Sequence, residues 1–185
     1  MTQDFWNDRY GIDAYAYGTE PNKFLKESLS EFEMNDKILF PAEGEGRNAV
    51  FAAQLGLNVT AFDISKEGRN KALKLAKSHN IKLNYLVGAL EELNFDENSF
   101  DFIALIYAHF PANIKSIYHR QLGKFLKKGG IAYFIIKSQS IDISKNPEIV
   151  FNNELNKIKN NFDILEKINI EPYDKKHLFV ILRKI

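Results

Sequence analysis

The chain has no cysteine in its 185 residues, which excludes disulfides, thiolate metal sites and cysteine nucleophiles and fits a reducing, cytoplasmic setting. It has no long hydrophobic run. The longest, around Phe102 to Phe110, is far below the ~20 residues needed to span a bilayer, so no membrane partner is expected. The opening Met1-Thr2-Gln3-Asp4-Phe5-Trp6 lacks the basic and apolar regions of a signal peptide. An excess of one charge sign is also missing. With 25 basic and 24 acidic residues the net charge is +1, which argues against nucleic acid as a partner. His79, His119 and His177 are scattered, with no carboxylate or cysteine at ligand spacing, so no metal site is expected. The length suits one domain with a single substantial core, spanning residues 1–185.

What the chain does have is a dense unit between Ile38 and Asp63. Lys37 to Phe40 reads as a strand, and Glu43-Gly44-Glu45-Gly46 as a glycine-bearing turn. An apolar helix pattern follows from Arg47 to Leu55, then a second strand, Val59 to Phe62, ending on Asp63. Glycines there let backbone N–H groups approach a ligand, and the acid accepts ribose hydroxyls, so the unit predicts an adenosine-containing cofactor.

Strand and helix patterns then alternate. Ser65 caps a helix with Ala72, Leu75 and Ala76 on its apolar face, and strands are predicted at Leu83–Val87, Phe100–Ile106 and Ile131–Ile136. Ile114, Ile117, Tyr118, Leu122, Phe125 and Leu126 share one helix face, ended by Gly129-Gly130. Asn146-Pro147 opens a further helix with Phe151, Leu155, Ile158 and Phe162 on one face. Two last strands, Ile164–Ile170 and His177–Leu182, flank a turn at 171–176. Before all of this, an aromatic segment leads into a short helix from Pro21 to Phe32, and residues 1–35 read as a lid. The order predicts an α/β fold: a doubly wound, mostly parallel seven-stranded sheet with an antiparallel C-terminal strand.

Two cofactors compete for the turn. Gly44-x-Gly46-x-x-Ala49, with Asp63 nineteen residues beyond Gly44, fits a dinucleotide fingerprint. S-adenosylmethionine (SAM) needs the same backbone approach and the same ribose acid. The aromatic segment ahead of the first strand, and the little room left after the last one for a substrate domain, favour SAM. So do the approaches Ser99-Phe100-Asp101 and Leu126-Lys127-Lys128-Gly129-Gly130.

With Phe62-Asp63-Ile64-Ser65 and the Glu-Gly-Glu-Gly turn, these segments make the chain resemble the class I SAM-dependent methyltransferases. Phe5-Trp6-Asn7-Asp8-Arg9-Tyr10, Tyr17-Gly18-Thr19-Glu20-Pro21-Asn22 and Gly44-Glu45-Gly46-Arg47-Asn48-Ala49-Val50 look most like the tellurite-resistance (TehB-like) and thiopurine-methyltransferase-like group. The resemblance implies methyl transfer to an acceptor, here expected to be a small molecule such as a thiol, selenium or tellurium species. The chain departs from the superfamily pattern at Phe40, where an acid is usual, at Ala42, where a glycine is usual, and at Ala89, near the usual adenine-binding acid.

The resemblance also distributes roles. Glu43, Gly44 and Gly46 would be cofactor-binding residues of the turn, the two glycines lining the methionine portion of SAM, and Asp63 would take the ribose hydroxyls. Ile64 and Leu90 would sandwich adenine or serve as ordinary core, with Ala89 beside them. Arg47 would pair with the SAM carboxylate or with a structural acid such as Glu43. Tyr17 would touch the methionine end or anchor the N-terminal helix. Ile106, Tyr107 and His109 end the fourth strand, where the methyl should lie: Tyr107 would face the sulfonium, and His109 would accept a proton or be a hydrogen-bonded strand end. The rival readings are an NAD(P)-dependent oxidoreductase and a non-catalytic SAM-binding protein. Acceptor identity and oligomeric state are not legible in the sequence.

Overall fold

A computed structural model describes residues 2–29, 32–137, 165–172 and 177–185. The chain divides into two compact units, 1–94 and 95–185.

The first unit is a parallel three-stranded layer with helices between the strands. Its strands are β1 (Lys37–Pro41), β2 (Asn58–Asp63) and β3 (Asn84–Val87), with β2 in the middle. Ile38, Leu39 and Phe40 of β1 are fully buried, as a strand covered on both faces requires. The acid-to-phenylalanine departure at Phe40 is therefore a core residue. Helix α3 (Arg47–Gln54) presents Ala49 and Ala52, both fully buried, so its backbone lies close to the strands. Helix α4 (Lys66–Ser78) buries Ala72, Leu75 and Ala76, the face the periodicity predicts.

Two elements ahead of β1 differ from expectation. Gln3–Tyr10 is a helix, α1, capped by Thr2, whose hydroxyl accepts the Phe5 N–H. Tyr10 is its one buried residue, so it has almost no apolar periodicity to read. The helix expected from Pro21 to Phe32 is shorter: α2 spans Lys23–Ser28, with Asn22 as N-cap and Pro21 outside it. Asn22 Oδ1 accepts the Phe24 and Leu25 N–H groups, so the cap replaces the proline as the start signal.

The second unit holds β4 (Phe100–Ile106), helix α5 (Ala112–Phe125), β5 (Leu126–Lys137), β6 (Leu165–Pro172) and β7 (His177–Lys184). β4 and β5 are parallel, and β7 runs antiparallel to both β5 and β6. β7 lies between them, so the antiparallel strand is an inner one and β6 flanks it. Gly129-Gly130 does not end α5. The helix stops at Phe125 and the strand starts at once, while the pairing jumps from Phe100–Leu126 to Phe102–Ile131. The Lys127–Gly130 stretch is thus surplus to the register, a bulge in which Gly129 has φ +78°. The helix expected after Asn146, and the loop before it, lie outside the described residues.

Candidate active site

The glycine turn follows β1 and is held from several sides. Asp63, at the carboxyl end of β2, is 5% exposed. Its Oδ2 accepts the Gly44 N–H at 3.0 Å and its Oδ1 the Ser65 N–H at 2.8 Å. Tyr85 of β3 donates its hydroxyl to the Gly44 carbonyl at 2.6 Å. Asp63 therefore ties the turn to the start of α4, where Ser65 is N-cap. Burial raises its carboxyl above the usual range, while the Ser65 and Gly44 N–H groups pull the other way.

Both glycines have positive φ, +65° at Gly44 and +84° at Gly46. A Cβ at Gly46 would lie 2.5 Å from Ala72 Cβ and 2.8 Å from its Cα; one at Gly44 would lie 2.6 Å from the Tyr10 hydroxyl. Ala42 also has positive φ, +52°, where the superfamily pattern has glycine.

Glu43 does not wait for a ligand cation. Its Oε1 accepts the Asn48 and Ala49 N–H groups at 2.8 and 2.9 Å, and its Oε2 takes the Asn48 amide at 3.2 Å. It thereby caps α3, whose N-cap position is Gly46 and has no side chain to offer. Burial pushes its carboxyl up to about 7, against the lowering effect of those same bonds. A carboxyl whose folded pKa lies above its unfolded one holds a proton in the native state that the unfolded chain has released. The native state loses stability as pH climbs from about 4.5 through about 7, and the loss is absent below that window. We expect Tm to fall between pH 5 and pH 8 by an amount equivalent to about 1–3 kcal/mol, and Glu43→Gln to flatten that fall. A variant whose Tm tracks the wild type across the range would remove Glu43 as its source.

Arg47 hydrogen-bonds to the N-terminal segment, while its charge also lowers the Glu43 carboxyl. Its Nη1 donates to the Tyr17 carbonyl at 3.1 Å, with the Glu20 carbonyl at 3.5 Å. Further staples hold that segment across the same edge. Gln3 Nε2 reaches the Ile64 carbonyl at 2.8 Å, Ser65 Oγ donates to Asn7 Oδ1 at 2.8 Å, and the Asn22 N–H meets Asn48 Oδ1 at 2.9 Å. Glu45, 4% exposed, accepts the Ala16 N–H and pairs with Lys71 Nζ, each at 2.7 Å. Lys71 also donates to the Ala14 carbonyl and lies over the Tyr15 ring. The aromatic that reaches the turn is Tyr10, which sequence reasoning did not single out. It is 5% exposed, stacks on Trp6, and has its phenol pushed up by burial and by the Asp63 charge. Tyr17 is 51% exposed, with Arg9 over its ring.

Of the other expected site residues in this unit, Ile64 is partly exposed and Leu90 is fully buried. The Ala89 N–H is taken by Glu92 Oε2, and the Gly88 N–H by the Asp63 carbonyl. In the second unit Ile106 is buried at the end of β4, Tyr107 follows with φ +56°, and His109 is exposed. Positive φ at a tyrosine is rare and strained, and such strain gathers at functional positions. A depression of about 400 Å³ lined by Ala53, Leu57, Val59, Lys82 and Leu83 lies at the opposite ends of β2 and β3 from Asp63, away from this site.

The turn can take SAM through Asp63: its carboxylate accepts the Gly44, Ser65 and Ile64 N–H groups and keeps lone-pair capacity for a ribose hydroxyl, while Gly44 and Gly46 let the turn pack directly against Tyr10 and Ala72.

Comparison with known proteins agrees. The family model described as "Methyltransferase domain" matches residues 38–130, half of the chain. The chain belongs to this family: it is a class I SAM-dependent methyltransferase. Its α/β Rossmann-like methyltransferase fold is that of the PH0226 protein from Pyrococcus horikoshii (TM-score 0.72, 16% identity, all of both chains covered). The TehB-like SAM-dependent methyltransferase from Corynebacterium glutamicum is also similar (TM-score 0.67, 16% identity, 98% of this chain and 95% of that one).

A second family model, Fibrillarin, matches residues 99–185. Over 60 residues the chain is 42% identical to the fibrillarin-like rRNA/tRNA 2'-O-methyltransferase of Pyrococcus abyssi, covering 32% of this chain. The match spans about a quarter (26%) of that relative's length. These matches overturn the expectation of a small-molecule acceptor and no nucleic acid. The argument against nucleic acid rested on the net charge, which hides a division. Residues 99–185 carry 14 basic and 8 acidic residues, and residues 1–98 carry 11 and 16. The near-neutral total is a cancellation of opposite halves. No helix among the described residues is long and apolar enough to cross a membrane.

Proposed function

We propose that the protein transfers a methyl group from SAM to a ribose 2'-hydroxyl of RNA. The observation that carries this is the Fibrillarin match over residues 99–185, with relatives named as rRNA/tRNA 2'-O-methyltransferases. The basic excess of the same residues supports it.

SAM supplies an activated methyl on a sulfonium. The first unit's task is to hold it: Gly44 and Gly46 border the methionine portion, Asp63 receives the ribose hydroxyls, and Ile64 and Ala89 lie by the adenine. Tyr10 and the segment stapled through Glu45, Lys71 and Arg47 form the lid over that edge. The C–O bond forms as the S–C bond breaks, and the hydroxyl proton must leave. A hydroxyl is a poor nucleophile near neutral pH, so a base is required, and His109 is our candidate. Tyr107, strained at the end of β4, is the candidate for the face beside the methyl. The TehB-like likeness of the N-terminal motifs belongs to the same proposal, as do a single domain over residues 1–185 and a seven-stranded sheet.

Incubation with methyl-labelled SAM and transfer or ribosomal RNA tests this. We expect label in dinucleotides that survive alkaline hydrolysis, because a methylated 2'-oxygen cannot attack the adjacent phosphate. Label confined to bases, or absent from RNA while SAM is bound, would contradict it.

A further inference from the structure

We propose that the outer face of α5 and the bulge after it form the surface on which the RNA phosphate backbone docks. This rests on the RNA reading of the function and adds to it where the strand lies.

From Phe102 to Ile141 the chain has no acidic residue, and Lys115, Arg120, Lys124, Lys127 and Lys128 all fall on α5 and the bulge. Helix geometry sorts them. Tyr118, His119, Leu122 and Phe125 are buried and hold α5 down. On the outside, Asn113, Ile117, Arg120 and Lys124 are exposed at spacings of four, three and four residues, a single stripe over three turns. Lys115 and Lys128 are exposed beside and beyond it. Ile117, expected in the core, is 57% exposed within this stripe and offers an apolar contact to a sugar or base.

Lysines near a helix C-terminus are ordinarily explained by the helix dipole. That covers Lys124, Lys127 and Lys128 but not Lys115 or Arg120, which lie more than a turn from the end. Nor does pairing consume the charge at the end of the helix. Lys127 is held by Asp101 at 2.7 Å, but Lys124 meets Glu97 only at 3.7 Å with both side chains more than half exposed. An exposed pair of this kind contributes little and yields readily to a phosphate. The charges on this face are all basic: Arg120 and Lys124 lie about 6 Å apart along the helix, with Lys115 before them and Lys128 after, an arrangement complementary to a phosphate chain.

The test is fluorescence anisotropy with a single-stranded RNA oligomer over roughly 50–200 mM salt, comparing wild type with the triple variant Arg120→Gln/Lys124→Gln/Lys128→Gln. Each phosphate that is no longer neutralised should lower the slope of log affinity against log salt by about 0.7, so we expect a slope shallower by about 2. Affinity near 100 mM salt should be at least about tenfold weaker. SAM affinity by calorimetry should be unchanged, which shows that the variant is folded. If wild type binds RNA and the variant keeps the same slope and affinity, this surface is wrong while the RNA reading stands. If wild type binds SAM but no RNA, the RNA reading itself fails, and this surface with it.

Discussion

Replacing Lys71 with methionine is expected to destabilise the protein by about 3–5 kcal/mol, the usual cost of removing one partner from a buried ion pair. Lys71 Nζ sits 2.7 Å from Glu45 Oε1, and the two side chains are 13% and 3% exposed. Without Lys71 the Glu45 carboxylate keeps its bond from the Ala16 N–H but is left without this counter-charge. The N-terminal segment is also deprived of the bond from Lys71 to the Ala14 carbonyl and of the packing of Lys71 on the Tyr15 ring. For a chain of this length the change corresponds to roughly 6–20 °C in Tm. The double variant Lys71→Met/Glu45→Gln should recover most of the loss, since it leaves no stranded charge. A single variant that unfolds within a degree or two of wild type would mean that the pair does not hold the segment down.

The second large effect is Gly46→Ala. The left-handed backbone costs a side-chain-bearing residue about 1–2 kcal/mol. Overpacking adds about 1–3 kcal/mol, because the new methyl meets Ala72 Cβ at 2.5 Å and its Cα at 2.8 Å. Backbone in a helix cannot swing aside as a side chain does, so α4 must move away from the turn. We expect about 2–5 kcal/mol of lost stability together with weakened SAM binding. Gly44→Ala is the informative comparison. Its obstacle is the far end of Tyr10, so Gly44→Ala/Tyr10→Phe should be better tolerated than Gly44→Ala alone. Thermal melts of the four proteins check both statements, and a Gly46→Ala protein as stable as wild type would contradict the packing described.

Much of the first unit was legible because its signals are periodic and local. The strands at Ile38 and Val59, the α4 face of Ala72, Leu75 and Ala76, and Asp63 at a strand end all follow from apolar spacing and turn chemistry. α1 was not legible, because polar staples from Gln3 and Asn7 and a single buried tyrosine hold it in place. The role of Glu43 was hidden for a related reason. It caps α3 from outside the helix, across Gly46, where no adjacent-residue rule looks. Gly129-Gly130 misled in the opposite direction, since a glycine pair after a helix serves a strand bulge as well as a helix end. The nucleic-acid signal was present in the composition but averaged away, since acidic residues concentrate before residue 99 and basic ones after it.

On the proposed reading, SAM is held at the Gly44–Gly46 turn, closed by Asp63. Calorimetric titration of SAM into Asp63→Ala, below the variant's melting temperature, tests it most directly. Loss of charge-assisted bonds to the cofactor sugar should weaken binding by about 10–100-fold. An affinity equal to wild type in a folded variant would place the cofactor elsewhere and leave Asp63 as a structural anchor alone.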